Sequence, residues 1–183
     1  MSAAGAPQPG QPAEPAGQER VVADQLRAAM RDYPTGVTVV AGLDTHGRPA
    51  GLAVNSFTSV SLEPPLVLFC PAHRSRSWPR IAPAKSYAIN ILSADDAPLC
   101  ALFASSAEDK FASVAWHPGA TGAPVIDSAL AALECAPVEV HPAGDHDIVV
   151  GRVLAVSGPR PVDPLVYYRG AYAALHQPGE ERS

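Results

Sequence analysis

Short apolar runs of strand type follow one another along most of this chain: VTVVAG (37–42), residues 50–57, LVLFC (66–70), SYAINIL (86–92) and DIVVGRVLAVS (147–157). Short turns separate most of them, and no βαβα rhythm appears. That argues against a doubly wound parallel sheet. Asp44-Thr45-His46-Gly47 is a turn with glycine where positive φ is expected, so the first two runs form a hairpin. LVLFC is wholly apolar and predicts a buried strand. Residues 129–143 are ambiguous by propensity, but Val138 and Val140 continue an alternation that favours a strand from about 131. LVYYRGAYAAL (165–175) predicts a last strand, broken at Gly170. The tally is six or seven strands with two or three short helices, which a small closed or half-open antiparallel barrel accommodates.

Helices fill the gaps. Val21, Val22, Leu26, Ala29 and Met30 recur at helical spacing and predict a helix over 20–31, ended before Pro34. Residues 75–82 and 95–104 predict two more. Residues 105–124 read as a long loop, a kind of segment that tends to be functional in compact domains. Residues 1–19 are rich in Ala, Pro and Gly and predict a disordered tail, leaving 20–183 as one domain.

Composition removes several classes. Of the 183 residues, 47% are hydrophobic, enough for a substantial core. No run approaches about 18 apolar residues, so no membrane span is expected. The first 20 residues lack the basic and apolar regions of a signal peptide. The net charge is -5 and no basic block stands out, so nucleic acid is not an expected partner. Cys70, Cys100 and Cys135 form no CxxC pair, which argues against a disulfide framework or structural zinc and favours a cytoplasmic protein. The six histidines lack metal-ligand spacing, so no metal is expected. GxGxxG, the P-loop, HExxH and GxSxG are all absent from the sequence.

Five stretches carry polar chemistry, and residue types alone leave each open. Asn55-Ser56-Phe57-Thr58-Ser59-Val60-Ser61 is a lip of ligand donors or a solvated edge strand. His73-Arg74-Ser75-Arg76-Ser77-Trp78 is a phosphate cradle at a helix start or a solvated capping loop. Tyr33-Pro34-Thr35-Gly36 is a ligand-contacting turn or a plain one. Glu108-Asp109-Lys110-Phe111 is an anion clamp or a charged loop. Gly144-Asp145-His146-Asp147 holds an imidazole that Asp145 or Asp147 orients, or is a solvated turn.

Taken together, YPTGVTVV (33–40), GLAVNSFTSVSLEPPLVLFC (51–70), RSRSW (74–78), YAINILSADD (87–96), EDKFASVAWHPGATGAPVID (108–127), LECAPVEVHPAGDHDIVVGRVLAV (133–156) and PLVYYRGAY (164–172) resemble the short-chain flavin reductases. These are the reductase components of two-component flavin-dependent monooxygenases. The resemblance implies a mainly β, Greek-key-like antiparallel split barrel of six or seven strands, in a homodimer. It implies hydride transfer from NADH to FAD, with FMN possible, and release of reduced flavin to a partner monooxygenase or halogenase. By the same resemblance Pro34, Thr35 and Gly36 lie against the isoalloxazine. Asn55, Ser56, Phe57 and Thr58 meet the ring edge or ribityl chain, and Ser61 and Cys70 line the site. Ser75, Arg76 and Ser77 meet the phosphate, and Lys110 and Phe111 close the flavin tail. His146 contacts the nicotinamide half, and Tyr172 lines the same mouth. RSRSW departs from the commoner RSRT. A flavin-retaining oxidase or monooxygenase, or a non-catalytic flavin binder, is the rival expectation on the same barrel.

Overall fold

The computed structural model describes residues 16–173 and 175. The chain divides into two units, residues 1–33 and 34–183. In the first, helix α1 (Ala16–Met30) begins before the expected residue 20, because Ala16, Gln18 and Glu19 are good helix formers. Val21, Val22, Leu26 and Met30 are exposed on it. Residues 1–15 of the expected tail lie outside the described residues.

The second unit runs β1 (Thr35–Gly36), β2 (Thr38–Leu43), β3 (Pro49–Val54), β4 (Thr58–Leu62), β5 (Pro65–Phe69), α2 (Trp78–Ile81) and β6 (Tyr87–Ile91). A 3-10 turn at Ala94–Asp96 leads into α3 (Ala97–Ala104). Then come β7 (Trp116–Pro118), β8 (Pro124–Ile126), β9 (Ala131–Ala143), β10 (His146–Ser157), β11 (Val166–Tyr168) and β12 (Ala171–Ala173). Seven strands form one antiparallel sheet in the order β3-β2-β6-β9-β10-β5-β4, so the mainly β class and the strand number match the sequence expectation.

The sheet curls. Leu52 and Val54 of β3 share one buried cluster with Val67 and Phe69 of β5, five strands away in the sheet order. In a flat sheet those strands would stand roughly 24 Å apart. Tyr87, Ile89, Cys135 and Val149 complete this inner core. The terminal strands β3 and β4 do not pair with each other, which leaves the barrel open along one seam. A second cluster covers the other face of β2: Val37, Val39 and Ala41 pack against Cys100, Phe103 and Phe111. Gly51 is required where α3 lies on β3, because a Cβ there would stand 2.9 Å from Val40 O and 3.0 Å from Phe103 Cε1.

Four elements differ from expectation. The second strand stops at Val54 rather than 57, and Thr58–Leu62 forms its own edge strand on β5. The expected loop 105–124 contains β7 and leads into β8, forming a hairpin. The last segment is a hairpin too: Arg169 (φ 51°) and Gly170 (φ 85°) form the left-handed two-residue turn that reverses a strand. The expected helix 75–82 shrinks to Trp78–Ile81: the Ser75 hydroxyl takes the N–H groups of Ser77 and Trp78, so regular helix begins only at Trp78.

Two buried polar side chains lock the β7–β8 hairpin onto the barrel. Asn90, with no exposed surface, donates from Nδ2 to Val39 O at 3.2 Å and Pro124 O at 3.3 Å, and its Oδ1 accepts the Ile126 N–H at 2.8 Å. The Glu134 carboxylate accepts the N–H groups of Ala120 (2.8 Å) and Thr121 (2.6 Å) and the Thr121 hydroxyl (2.6 Å). A side chain at Gly119 would overlap that carboxylate. Burial alone pushes the Glu134 pKa up, but the three hydrogen bonds together outweigh it and hold the group below its ordinary 4.5.

Asn90→Ala leaves several buried groups unpaired, and we expect it to lower stability to urea by about 3 kcal/mol. A loss below about 1 kcal/mol would contradict the role given to Asn90. Because the folded Glu134 pKa is depressed, its contribution is complete above the ordinary value and is lost as pH falls below it. Glu134→Gln is therefore expected to flatten the acid limb of the stability–pH curve below about 4.5 relative to wild type, read by thermal melts at stepped pH.

Candidate functional site

A cleft of about 510 Å³ opens at the barrel seam. Its origin is topological. β3 ends at Val54, residues 55–57 leave the sheet, and the chain re-enters as β4 at the opposite edge. Ser56 secures this crossing: its hydroxyl accepts the Cys70 N–H at 3.1 Å and donates to the Cys70 carbonyl at 3.0 Å. Asn55 is exposed on the cleft wall beside it. The remaining walls come from the loop after β5, the C-terminal end of α3, Lys110, and His146 at the start of β10.

The lining carries Arg74, Arg76, Lys110 and His146 and no carboxylate, in a chain whose net charge is -5. Such a local inversion of sign concentrates anions. Lys110 is only 8% exposed. Its ammonium donates to Phe103 O at 2.7 Å and to Ser77 Oγ at 3.1 Å. Burial pushes its pKa down, and the Arg80 guanidinium adds to this. Ser75 Oγ accepts the N–H groups of Ser77 (3.3 Å) and Trp78 (3.2 Å), which leaves its own O–H to donate elsewhere.

The loop after β5 is fastened to the turn before β10. His73 N–H donates to Asp145 O at 2.9 Å, Asp147 N–H to Pro71 O at 3.1 Å, and Ala72 forms an antiparallel bridge with His146. The Asp147 carboxylate accepts from His73 Nε2 at 2.8 Å and from Trp78 Nε1 at 2.8 Å. The His73 bond, followed by that from Trp78, holds Asp147 below its ordinary pKa. Asp145 accepts from His146 Nδ1 at 2.7 Å, and that bond holds its pKa down. Of the two carboxylates expected to orient His146, Asp145 makes the contact.

Of the residues expected from sequence, Asn55, Ser56, Cys70, Ser75, Arg76, Lys110 and His146 meet on this cleft. Ser77 is buried behind it under Lys110. Phe57 packs against the barrel core. Thr58 is exposed on the edge strand, and Ser61 Oγ accepts the Glu63 N–H at 3.2 Å. Phe111 is a core ring, 5.0 Å from Phe103 and 5.9 Å from Trp116 between centroids.

Pro34 is exposed just before β1. Thr35, Gly36 and Tyr172 fall in the separate small sheet, order β1-β11-β12. The Tyr172 ring stands 5.9 Å from Tyr167. The Cys100 thiol beside its hydroxyl, with burial, pushes Tyr172 up to about 12, so it is a neutral phenol at neutral pH. Among the described residues, Thr35 Oγ1 is buried without a hydrogen-bond partner.

Sequence reasoning missed Ala104, Ser105 and Ser106 at the end of α3 as lining. Ser105 looks like a cap and is one, with its hydroxyl donating to Leu102 O at 2.7 Å. Only the nearness of this pair to Lys110 in the chain hinted at the cleft. Among the described residues, no group of three His, Cys, Asp or Glu side chains is placed to hold a metal ion.

The chain is similar to known proteins over most of its length. The flavin reductase like domain matches residues 30–176. The reductase subunit HsaB of a flavin-dependent monooxygenase from Rhodococcus jostii is 40% identical over 151 residues, 82% of this chain and 77% of that protein. The FMN reductase (NADH) SmoA of Agrobacterium fabrum is 44% identical over 147 residues, 80% of this chain and 83% of that one. The Streptomyces globisporus NADH:FAD oxidoreductase SgcE6, solved with NAD and FAD fragments, superposes with a TM-score of 0.80 at 35% identity, covering 89% of this chain and 96% of that one. With a family model matched over residues 30–176 and relatives about 40% identical over four fifths of its length, the chain belongs to the flavin reductase like domain family.

Proposed function

We propose that this protein is an NADH-dependent flavin reductase that supplies reduced flavin to a separate monooxygenase component. The observation that carries this reading is the cation-lined, serine-bearing cleft at the seam of a net-acidic barrel. A flavin phosphate is dianionic, and the residues present suit it. Arg74 and Arg76 offer guanidinium forks, Ser75 an unspent O–H, and buried Lys110 a positive charge behind Ser77. Asn55 and the peptide groups at the 55–57 break face the ring edge. Ser56 acts at one remove, since its hydroxyl is committed to Cys70.

The chemistry a bound flavin supplies is acceptance of hydride at N5 from C4 of the nicotinamide. The protein's task is to hold both rings with the reacting atoms about 3–3.5 Å apart and to exclude water. No acid–base pair is needed for that. His146, held by Asp145 at the mouth, stacks on or hydrogen-bonds the nicotinamide half. We assign FAD as the preferred flavin, in keeping with the NADH:FAD neighbour; FMN fits the same cleft through its phosphate. Exposed Val60 and Leu62 on β4 and Leu154 and Val156 on β10 support a homodimer. Three free cysteines support a reducing cytoplasmic setting.

The test is oxidation of NADH with free FAD or FMN. We expect flavin-stimulated turnover and a higher kcat/KM for FAD than for FMN; the reverse ratio would reassign the flavin. Flavin that stays bound through gel filtration and is poorly reduced by NADH would favour the rival oxidase or binding roles. His146→Ala is expected to raise the KM for NADH about tenfold while flavin affinity changes by less than about twofold. Equal loss of both would remove His146 from the nicotinamide half.

A further inference from the structure

We propose that Asp147 is a positioning residue whose carboxylate closes the loop 73–78 into the shape that binds the ligand's phosphate. The proposal rests on the flavin reading of the cleft.

One carboxylate reaches both ends of this loop. Oδ2 takes the indole N–H of Trp78 and Oδ1 the imidazole of His73, each at 2.8 Å. The Trp78 end is packed into the core: its ring is 5% exposed and stands edge-on to Phe69 at 5.9 Å. The His73 side chain is 45% exposed, so its link to Asp147 and the backbone bond from its N–H to Asp145 hold that end. Between the two anchors lie Arg74, Ser75 and Arg76, which line the cleft. Asp147 itself does not line it, although His146, its neighbour on β10, does. It therefore acts on the ligand through the loop. Two arginines in one short loop repel each other and spread unless its ends are pinned.

The experiment compares binding of FMN with binding of riboflavin, which has the same ring and no phosphate, by flavin fluorescence titration of the full chain. Wild type is expected to bind FMN more tightly than riboflavin. Asp147→Ala is expected to weaken FMN about tenfold and leave riboflavin within about twofold. An Asn side chain can accept from Trp78 and donate to His73, so Asp147→Asn is expected to restore FMN affinity towards that of wild type. Equal weakening of both flavins, or of neither, would overturn the proposal. If Asp147→Ala does not fold, His73→Ala replaces it under the same two criteria. A wild type that shows this FMN–riboflavin difference but does not turn over NADH would sink the reductase reading and leave the role of Asp147 standing.

Discussion

The β9–β10 ladder is the constraint on which the rest depends. Its strands, 13 and 12 residues long, carry β6 on one side and β5 on the other. Two irregularities bend it, between Val150 and Gly151 and between Val153 and Ala155. A bulge raises local twist, and that twist lets a seven-stranded sheet close around one core. Gly151 sits at the first of them, where a Cβ would come within 2.9 Å of the Cys135 sulfur. The ladder also fixes where the site forms. Because Phe69 pairs with Val149 in antiparallel register, the chain leaving β5 must emerge beside His146. The loop with two arginines and the turn with the histidine are neighbours for that reason.

The site illustrates how little acid–base equipment a hydride-transfer enzyme requires. The strongest polar contacts nearby are spent on shape. Ser56 ties the seam to Cys70, Lys110 is folded under the chain onto Phe103 and Ser77, and Asp147 joins His73 to Trp78. What remains for a ligand is positive charge, the Ser75 and Ser106 hydroxyls, the Asn55 amide and peptide groups. That suits a phosphate and a flat heterocycle, whose own electronic structure performs the reaction. The small side chains Ala53 and Ala104 on the wall leave room for a ring to lie close to the backbone.

Much of this was legible in the chain itself. Period-two alternation and β-branched runs announced the strands of the main sheet except β4, which is mostly exposed and so carries no core-facing pattern. Co-occurrence of PTG, NSFTS, RSRS, DKF and GDH identified the family, which no single motif could do. The small hairpins escaped notice, since two or three residues carry no measurable period. The β7–β8 hairpin in particular is held by Asn90 and Glu134, both remote in sequence. Phe111, read as a ligand-closing residue, lies in the core, because an aromatic beside an exposed-looking Asp-Lys pair gives no sign of which way the loop turns.

The sequence by itself determined the class, the antiparallel character of the sheet and the family, because those depend on local periodicity and on motifs read in order. The tertiary structure decided which polar residues line the cleft and which hold the frame. Serine 56, Ser75 and Ser77 look alike in the chain, yet one braces the seam, one caps a helix and one lies beneath a buried ammonium. Direction of burial separates them, and that is set by partners tens of residues away, across a sheet whose register no local pattern encodes.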